Sequence, residues 1–285
     1  MDIFTLYAAQ GDLAAVRAGN EAVIVDAHMP ECDDVTPPQI EATLADYLSG
    51  RMVCGLILTG LDKDHACPAG VESILTRYSP DWVMYPTYYK DTDTATEVFQ
   101  IIERHRRRRE NTTRPLTRHS VCVQDGPPRV LPGLANNFRF ELFSPRAKTP
   151  GSSNNCSIVA RITGLDANGF GYMITGDTEA DAWERINKRY GNLLATPIFS
   201  APHHGAASGC KPQTAWLVSP DTVLISAGVN NAYGHPDPSA AKVYAAVARA
   251  VYSTNQTSDG TCLLTRRVGN TYETYLVAHN VRAVA

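Results

Sequence analysis

Hydrophobic and polar positions alternate along this chain in two rhythms. Near the start, Ile3 to Tyr7, Leu13 to Arg17 and Ala22 to Val25 read as three strands. They are joined by Gln10-Gly11-Asp12 and Gly19-Asn20-Glu21, both turn-forming combinations, so a β-meander is predicted. Ile40, Leu44, Tyr47 and Leu48 then share one helical face between Pro38 and Leu48, entered through Thr36-Pro37. Met52 to Leu58 is continuously apolar, the pattern of a strand covered on both faces, and it delivers the next loop to its C-terminal end. The alternation continues with a helix near Gly70 to Arg77, a strand Trp82 to Tyr85 and a helix Thr94 to Arg109. Strands follow at Phe138 to Phe143 and Ser157 to Thr163, flanking a Gly/Ser/Asn-rich loop. Phe170 to Thr175 leads into a helix opening at Asp177-Thr178-Glu179. Strands at Ala195 to Ser200 and Thr222 to Ser226, a helix Pro238 to Ala248, and strands Thr261 to Thr265 and Tyr272 to Val277 complete the chain. Sheets interleaved with helices imply a layered arrangement. With no low-complexity linker and no internal repeat, residues 1–285 read as a single domain.

Composition narrows this only a little. Of 285 residues, 44% are hydrophobic and 19% charged, enough apolar material for a substantial core and too much for wholesale disorder. A net charge of -3, from 26 basic and 29 acidic residues, leaves no global footprint for nucleic acid, so polyanion binding needs a local patch. No apolar run approaches the roughly 18 residues of a membrane helix, and the start lacks a basic flank ahead of an apolar stretch. A cytoplasmic protein with no membrane partner is expected. Seven cysteines, without a C-x-x-C pair, suggest neither a disulfide framework nor a zinc ribbon. Cys67 and Cys32 stand out only for lying in polar loops.

The candidate chemistry sits where strands end. Thr59-Gly60-Leu61-Asp62-Lys63-Asp64-His65 places two carboxylates and an imidazole within four residues. Such donors suit a divalent cation, because clustered carboxylates repel without one; alone, the run is equally a solvated polar turn. Ile174-Thr175-Gly176-Asp177 adds a carboxylate that by itself reads as a helix cap. Pro202-His203-His204-Gly205 adds adjacent histidines, and Asn230-Asn231-Ala232-Tyr233-Gly234-His235-Pro236 is a fourth cluster that in isolation describes a loop.

Together these clusters resemble the metallo-β-lactamase superfamily, and most closely the soluble nuclease-like domain of ComEC-type competence DNA-uptake proteins. The resemblance covers nearly the whole chain. Ala9-Gln10-Gly11-Asp12 matches three residues of the family's G-Q-G-D. Val23-Ile24-Val25-Asp26-Ala27-His28 matches its L-I-D-x-G strand end, with His28 in place of Gly. Thr59 to His65 matches its S/T-H-x-D-x-D-H loop, with Gly60 in place of the first His. Asn154-Asn155-Cys156-Ser157, Ile174 to Asp177, His203-His204-Gly205 and Asn231 to Pro236 match N-N-x-S, L-T-G-D, H-H-G and N-x-Y-G-H-P in order.

The resemblance implies an α+β fold, a four-layer αββα sandwich with metal held at one end of two sheets. The implied ligands are Asp62, Asp64, His65, Asp177, one of His203 and His204, and His235. It implies one tightly held Zn²⁺ or Mn²⁺ on Asp64, His65, Asp177 and His235, since carboxylate with imidazole suits borderline-hard cations. A second, weaker ion would use Asp62 and a histidine of the His203-His204 pair, with His28 or Cys67 as the nearest substitutes for the missing imidazole. The implied reaction is metal-assisted hydrolysis, with Asp62, Asp64 and Asp177 as the catalytic carboxylates and Asn231 and Tyr233 placed to hold a substrate phosphate. Seven arginines between positions 103 and 118, Arg106, Arg107, Arg108 and Arg109 foremost, form a patch able to follow a nucleic-acid backbone, or simply a helix end favoured by its dipole. A phosphodiesterase acting on DNA or RNA is the leading expectation. A hydrolase of a lactone, phosphocholine ester or cyclic nucleotide, and a non-catalytic binding module, are the alternatives.

Overall fold

The computed structural model describes residues 1–32, 34–88, 90–146 and 152–279; part of the Gly/Ser/Asn-rich loop, residues 147–151, lies outside them. The opening meander forms: β1 (Asp2–Thr5), β2 (Ala14–Ala18) and β3 (Glu21–Val25) pair antiparallel in chain order. Helix α1 (Pro37–Leu48) then crosses to β4 (Met52–Ile57), α2 (Pro68–Tyr78) to β5 (Trp82–Pro86), and α3 (Asp93–Arg109) to β6 (Thr117–Val121). These strands join β3 in parallel. A helical crossover is the connection that parallel neighbours require.

The second sheet repeats the scheme. β7 (Arg129–Leu131), β8 (Phe138–Ser144), β9 (Val159–Gly164) and β10 (Gly171–Ile174) are antiparallel neighbours. Three parallel strands follow: β11 (Ile198–Ser200), β12 (Thr222–Ile225) and β13 (Ala250–Ser253). They are linked through α4 (Ala180–Tyr190), α5 (Pro212–Val218) and α6 (Pro238–Val247). The chain returns to the first sheet as the hairpin β14 (Cys262–Val268) and β15 (Thr271–Val277), with β14 beside β1.

Three apolar layers hold this together. Ile24, Leu56 and Val83 of the first sheet face Ile40, Leu44, Ile74 and Ile102 of its helices. Ile3, Val23, Ile57, Phe140, Ile162 and Ile198 fill the space between the sheets. Phe199 and Val223 meet Trp183, Ala215 and Tyr244 on the outer face of the second. Residues of one strand alternate between two of these layers, as the two-residue period requires, so both sheets are covered on both faces. This is the four-layer αββα sandwich. Among the described residues, no helix is long and apolar enough to cross a membrane.

Four elements carry no usable sequence signal. β6 reads Thr-Arg-His-Ser-Val and is largely exposed, with no apolar alternation. β7 is three residues long, and β13 is a short sheet edge. α5 spans seven residues, too few to show a helical period. The strand predicted over Ala195 to Ser200 shortens to β11, since Leu194 closes a short 3₁₀ turn ahead of it.

Candidate metal centre

β1, β3, β4, β10, β11 and β12 all point their C-terminal ends to one side of the sandwich. Each end releases a loop there. β1 runs on to Asp12, β3 to Asp26, β4 to Gly60–His65, β10 to Asp177, β11 to His203-His204 and β12 to Asn231–His235. Backbone bonds lash the loops together. Asp12 N–H donates to Asp64 O at 2.8 Å and Ala27 N–H to His65 O at 2.8 Å. Within the second sheet's loops His203 N–H donates to Gly176 O at 2.9 Å, and across the two sheets Ile158 N–H donates to Thr59 O at 2.8 Å.

The loops converge on four donors. Ligand atoms of Asp64, His65, Asp177 and His204 lie within 4.8 Å of one another. His65 Nε2 is 2.9 Å from Asp177 Oδ1, and His204 Nε2 is 3.6 Å from that atom and 3.5 Å from Asp64 Oδ2. Bonds of about 2.0–2.2 Å to a tetrahedral cation set donors roughly 3.3–3.6 Å apart, so these separations suit one ion. His65 Nε2, His204 Nε2 and Asp177 Oδ1 are buried and have no hydrogen-bond partner of proper geometry. Buried polar atoms are ordinarily satisfied; three orphans converging on one point are what a cation would satisfy.

The local field agrees. Burial alone would depress the His65 and His204 pKa values, but surrounding carboxylates override it. Asp177, Asp26 and Asp64 hold His65 well above the usual histidine range, and Asp12 and Asp177 raise His204 to about 9. Burial works to raise Asp177, yet His65 and His204 bring its carboxyl well below the usual range. A negative field that keeps protons on two buried imidazoles also attracts a dication, which must displace those protons to bind.

An outer ring orients the donors. Asp26 Oδ2 lies 3.1 Å from His65 Nδ1 and accepts from the Thr59 hydroxyl at 2.6 Å, while Asp26 Oδ1 accepts from the Thr59 N–H at 2.6 Å. His204 Nδ1 faces Ser226 O at 3.0 Å. With each Nδ1 proton engaged, each Nε2 presents its lone pair inward. Asp12 reaches both rings, 3.5 Å from His65 Nδ1 and 3.6 Å from His204 Nδ1. Asp26, His203 and His204 adopt φ of 59°, 52° and 54°, left-handed conformations that cost about 1–3 kcal/mol each and collect at functional sites. Gly11 is required by proximity: a Cβ there would lie 2.2 Å from His28 Cδ2 and 2.8 Å from the Asp64 carbonyl. The sequence alone assigns no role to Asp12 or Asp26, although Asp12 closes the Ala9–Asp12 motif ahead of β2 and Asp26 directly follows β3.

The other candidates have separate places. His235 stands beside the four donors rather than among them, its ring 6.4 Å from His204 and 5.8 Å from His203. His204 takes the place in the group that the resemblance gave to His235. His203 Nε2 reaches only to 3.8 Å from Asp177 Oδ2, while its Nδ1 turns to Ser208 Oγ at 3.2 Å. Asp62 lines the cleft, with its Oδ1 ion-paired to Lys90. Gly60 has room for a side chain, since a Cβ would meet only the His65 ring at 3.5 Å. His28 lines the cleft with Nδ1 on Lys63 O at 3.1 Å, and burial lowers its pKa to about 4. The Cys67 thiol points to Met29 O and that of Cys32 to Val35 O.

Asn231 is not available for phosphate. Its amide donates to Gly228 O and His235 O at 2.8 and 2.6 Å and accepts from His235 N–H at 2.9 Å, so it braces its own loop. Tyr233 is 73% exposed and stacks on His235 at 5.6 Å, leaving a bare ring at the mouth of a cleft of about 500 Å³.

The arginine patch is elsewhere and its charge is partly offset. Arg106 and Arg107 pair with Glu103, Arg109 donates to Pro80 O and Arg114 O, and Arg104, Arg114 and Arg118 pair with Glu72, Asp81 and Glu103. α3 starts at the cleft side, where Thr92 Oγ1 accepts from Ala95 N–H. Its 17 residues carry Arg106, Arg107, Arg108 and Arg109 roughly 25 Å along the axis, to Asp81 at the N-terminal end of β5. That is the sheet edge opposite the donors.

The chain has relatives of known sequence. It is 25% identical over 199 residues to ComE operon protein 3 of Bacillus subtilis (strain 168), a match covering 69% of this chain and 23% of that protein. It is 30% identical over 97 residues to competence protein ComA of Neisseria gonorrhoeae, covering 34% of this chain and 14% of that one. The chain therefore spans less than a quarter of the length of either relative. Among solved structures, Igni18, a novel metallo hydrolase from the hyperthermophilic archaeon Ignicoccus hospitalis KIN4/I, superposes with a TM-score of 0.54 at 16% identity. That match covers 94% of this chain and 100% of Igni18, and it establishes a shared fold. No family model matches the chain.

Proposed function

The chain is a metallo-β-lactamase superfamily member that resembles ComEC-type proteins, and we propose that it is a metal-dependent phosphodiesterase acting on nucleic acid. One observation carries the reading: the orphaned, buried donor atoms of His65, Asp177 and His204, joined by Asp64 at the spacing of a single ion. These four residues would hold the ion. When bound, a divalent cation supplies Lewis acidity, lowering the pKa of water and offsetting charge that develops on a phosphoryl oxygen.

The remaining work falls to the chain. Asp26 and the Ser226 carbonyl keep both imidazoles in the tautomer that offers Nε2. Removing such support typically costs ten- to a hundredfold in metal affinity. Asp26→Ala is therefore expected to lower affinity by about that factor, read by competition with a chelating dye; unchanged affinity would leave Asp26 a folding residue only. The exposed Tyr233 ring gives a nucleobase a face on which to stack, an interaction worth about 1–3 kcal/mol per base and tolerant of sequence. The resemblance to ComEC-type DNA-uptake proteins, with a ComE operon protein and a competence protein among the relatives, favours a nucleic-acid substrate as well.

The patch on α3 has no part in this. Replacing the exposed Arg107 and Arg108 by Gln should leave the salt dependence of DNA binding unchanged, whereas two lost phosphate contacts would flatten the slope of log K on log salt by nearly two. The test of the function is incubation of single-stranded and plasmid DNA with the protein and Mn²⁺ or Zn²⁺, with and without chelator. Cleavage that needs the ion is expected. DNA left intact while a cyclic nucleotide or lactone is hydrolysed would assign the same site to small molecules.

A further inference from the structure

Asp62 and Lys90 are a part of the cleft that the four-donor group does not use. Asp62 lines the cleft beside Asp64 and Asp177, yet among the described residues it belongs to no cluster of metal-ligand spacing. Its counter-charge comes from the segment between β5 and α3. The Lys90 ammonium is ion-paired with the Asp62 carboxylate and lies 3.1 Å from Ser153 Oγ. Neither side chain is sealed off, with 33% of Asp62 and 21% of Lys90 exposed. An ammonium has three N–H donors; Asp62 and Ser153 engage two, and a ligand oxygen can take the third. Lys90 also senses the metal centre: burial lowers its pKa, and the Asp177 carboxylate acts against that fall. On the other side of Asp62, Gly60 contributes no imidazole although space for a Cβ exists.

We propose that Lys90 is the resident cation of the Asp62 half of the cleft. It takes the position on Asp62 that a second divalent ion would need, and it binds a phosphoryl oxygen of the substrate next to the ion held by Asp64, His65, Asp177 and His204. This rests on the hydrolase reading above. A lysine is a compact point charge suited to phosphate, and a dication binding the same carboxylate oxygen of Asp62 would have to displace it.

The experiment compares wild-type protein with Lys90→Met, each loaded with Mn²⁺, by elemental analysis after gel filtration in excess Mn²⁺ and by calorimetric titration with inorganic phosphate. Wild type should retain one ion per chain even in excess Mn²⁺. Lys90→Met should keep that ion and bind phosphate about tenfold or more weakly, the loss expected for one charge-assisted hydrogen bond. Two ions per wild-type chain would overturn the proposal, because it gives Lys90 the place of the second ion. Unchanged phosphate affinity in Lys90→Met would overturn it too, as would loss of the single ion from that variant, which would make Lys90 a support of the metal centre instead. A wild-type chain that retains no ion at all contradicts the hydrolase reading itself and is told apart from these results by the wild-type count alone.

Discussion

Asp177→Asn is expected to strip the protein of its ion and abolish hydrolysis while leaving the fold intact. Asp177 Oδ1 approaches both His65 Nε2 and His204 Nε2, at 2.9 and 3.6 Å, so it is the hinge between the two imidazoles. The amide is nearly isosteric, and the backbone bonds that seat this turn do not involve the side chain: Asp177 N–H meets Ser157 Oγ, and Gly176 O accepts from His203 N–H. What changes is charge. The site loses a carboxylate that faces the Nε2 atoms of both rings, and an affinity loss beyond the hundredfold reached by outer-ring changes follows. Elemental analysis and circular dichroism check this together. A folded Asn variant that keeps a full complement of metal would show that Asp177 is not a ligand.

His204→Ala and His235→Ala should part company. His204 Nε2 is buried, unpartnered and within 3.6 Å of two of the other donors; its removal should empty the site on dialysis. His235 stands outside the donor group, with Gln10 Nε2 at 3.4 Å from its Nδ1 and Tyr233 stacked on its ring. Its removal should leave the ion bound and weaken substrate binding by unseating Tyr233, a loss of about tenfold for one stacked base. The same dialysis and metal determination reads both variants. An emptied His235→Ala with a loaded His204→Ala would reverse the assignment.

Much of this was legible in residue order, and the limits have physical causes. Strand-end loops could be placed because Met52 to Leu58 and Phe170 to Thr175 are apolar runs that stop at polar residues, so the C-terminal position of Gly60–His65 and Asp177 followed from burial. The choice between His204 and His235 could not follow. It depends on consecutive left-handed conformations at His203 and His204, which turn one ring inward and the other toward Ser208, and spacing does not encode that. The pairing of Asp62 with Lys90 spans 28 positions and belongs to no recognisable motif. The arginine run was partly readable: Glu103 precedes Arg106 and Arg107 by three and four positions, the spacing of helical ion pairs. Glu72 and Asp81 arrive only through folding, on α2 and ahead of β5, and they offset a further part of the charge.

The most direct test is anomalous X-ray scattering, above and below the metal absorption edge, from crystals of protein purified without added metal and dialysed. One strong peak is predicted per chain, bonded to Asp64 Oδ2, His65 Nε2, Asp177 Oδ1 and His204 Nε2 at about 2.0–2.2 Å. A peak on Asp62, His203 and His235 with none between the four buried donors, or no peak in a folded chain, would contradict the account.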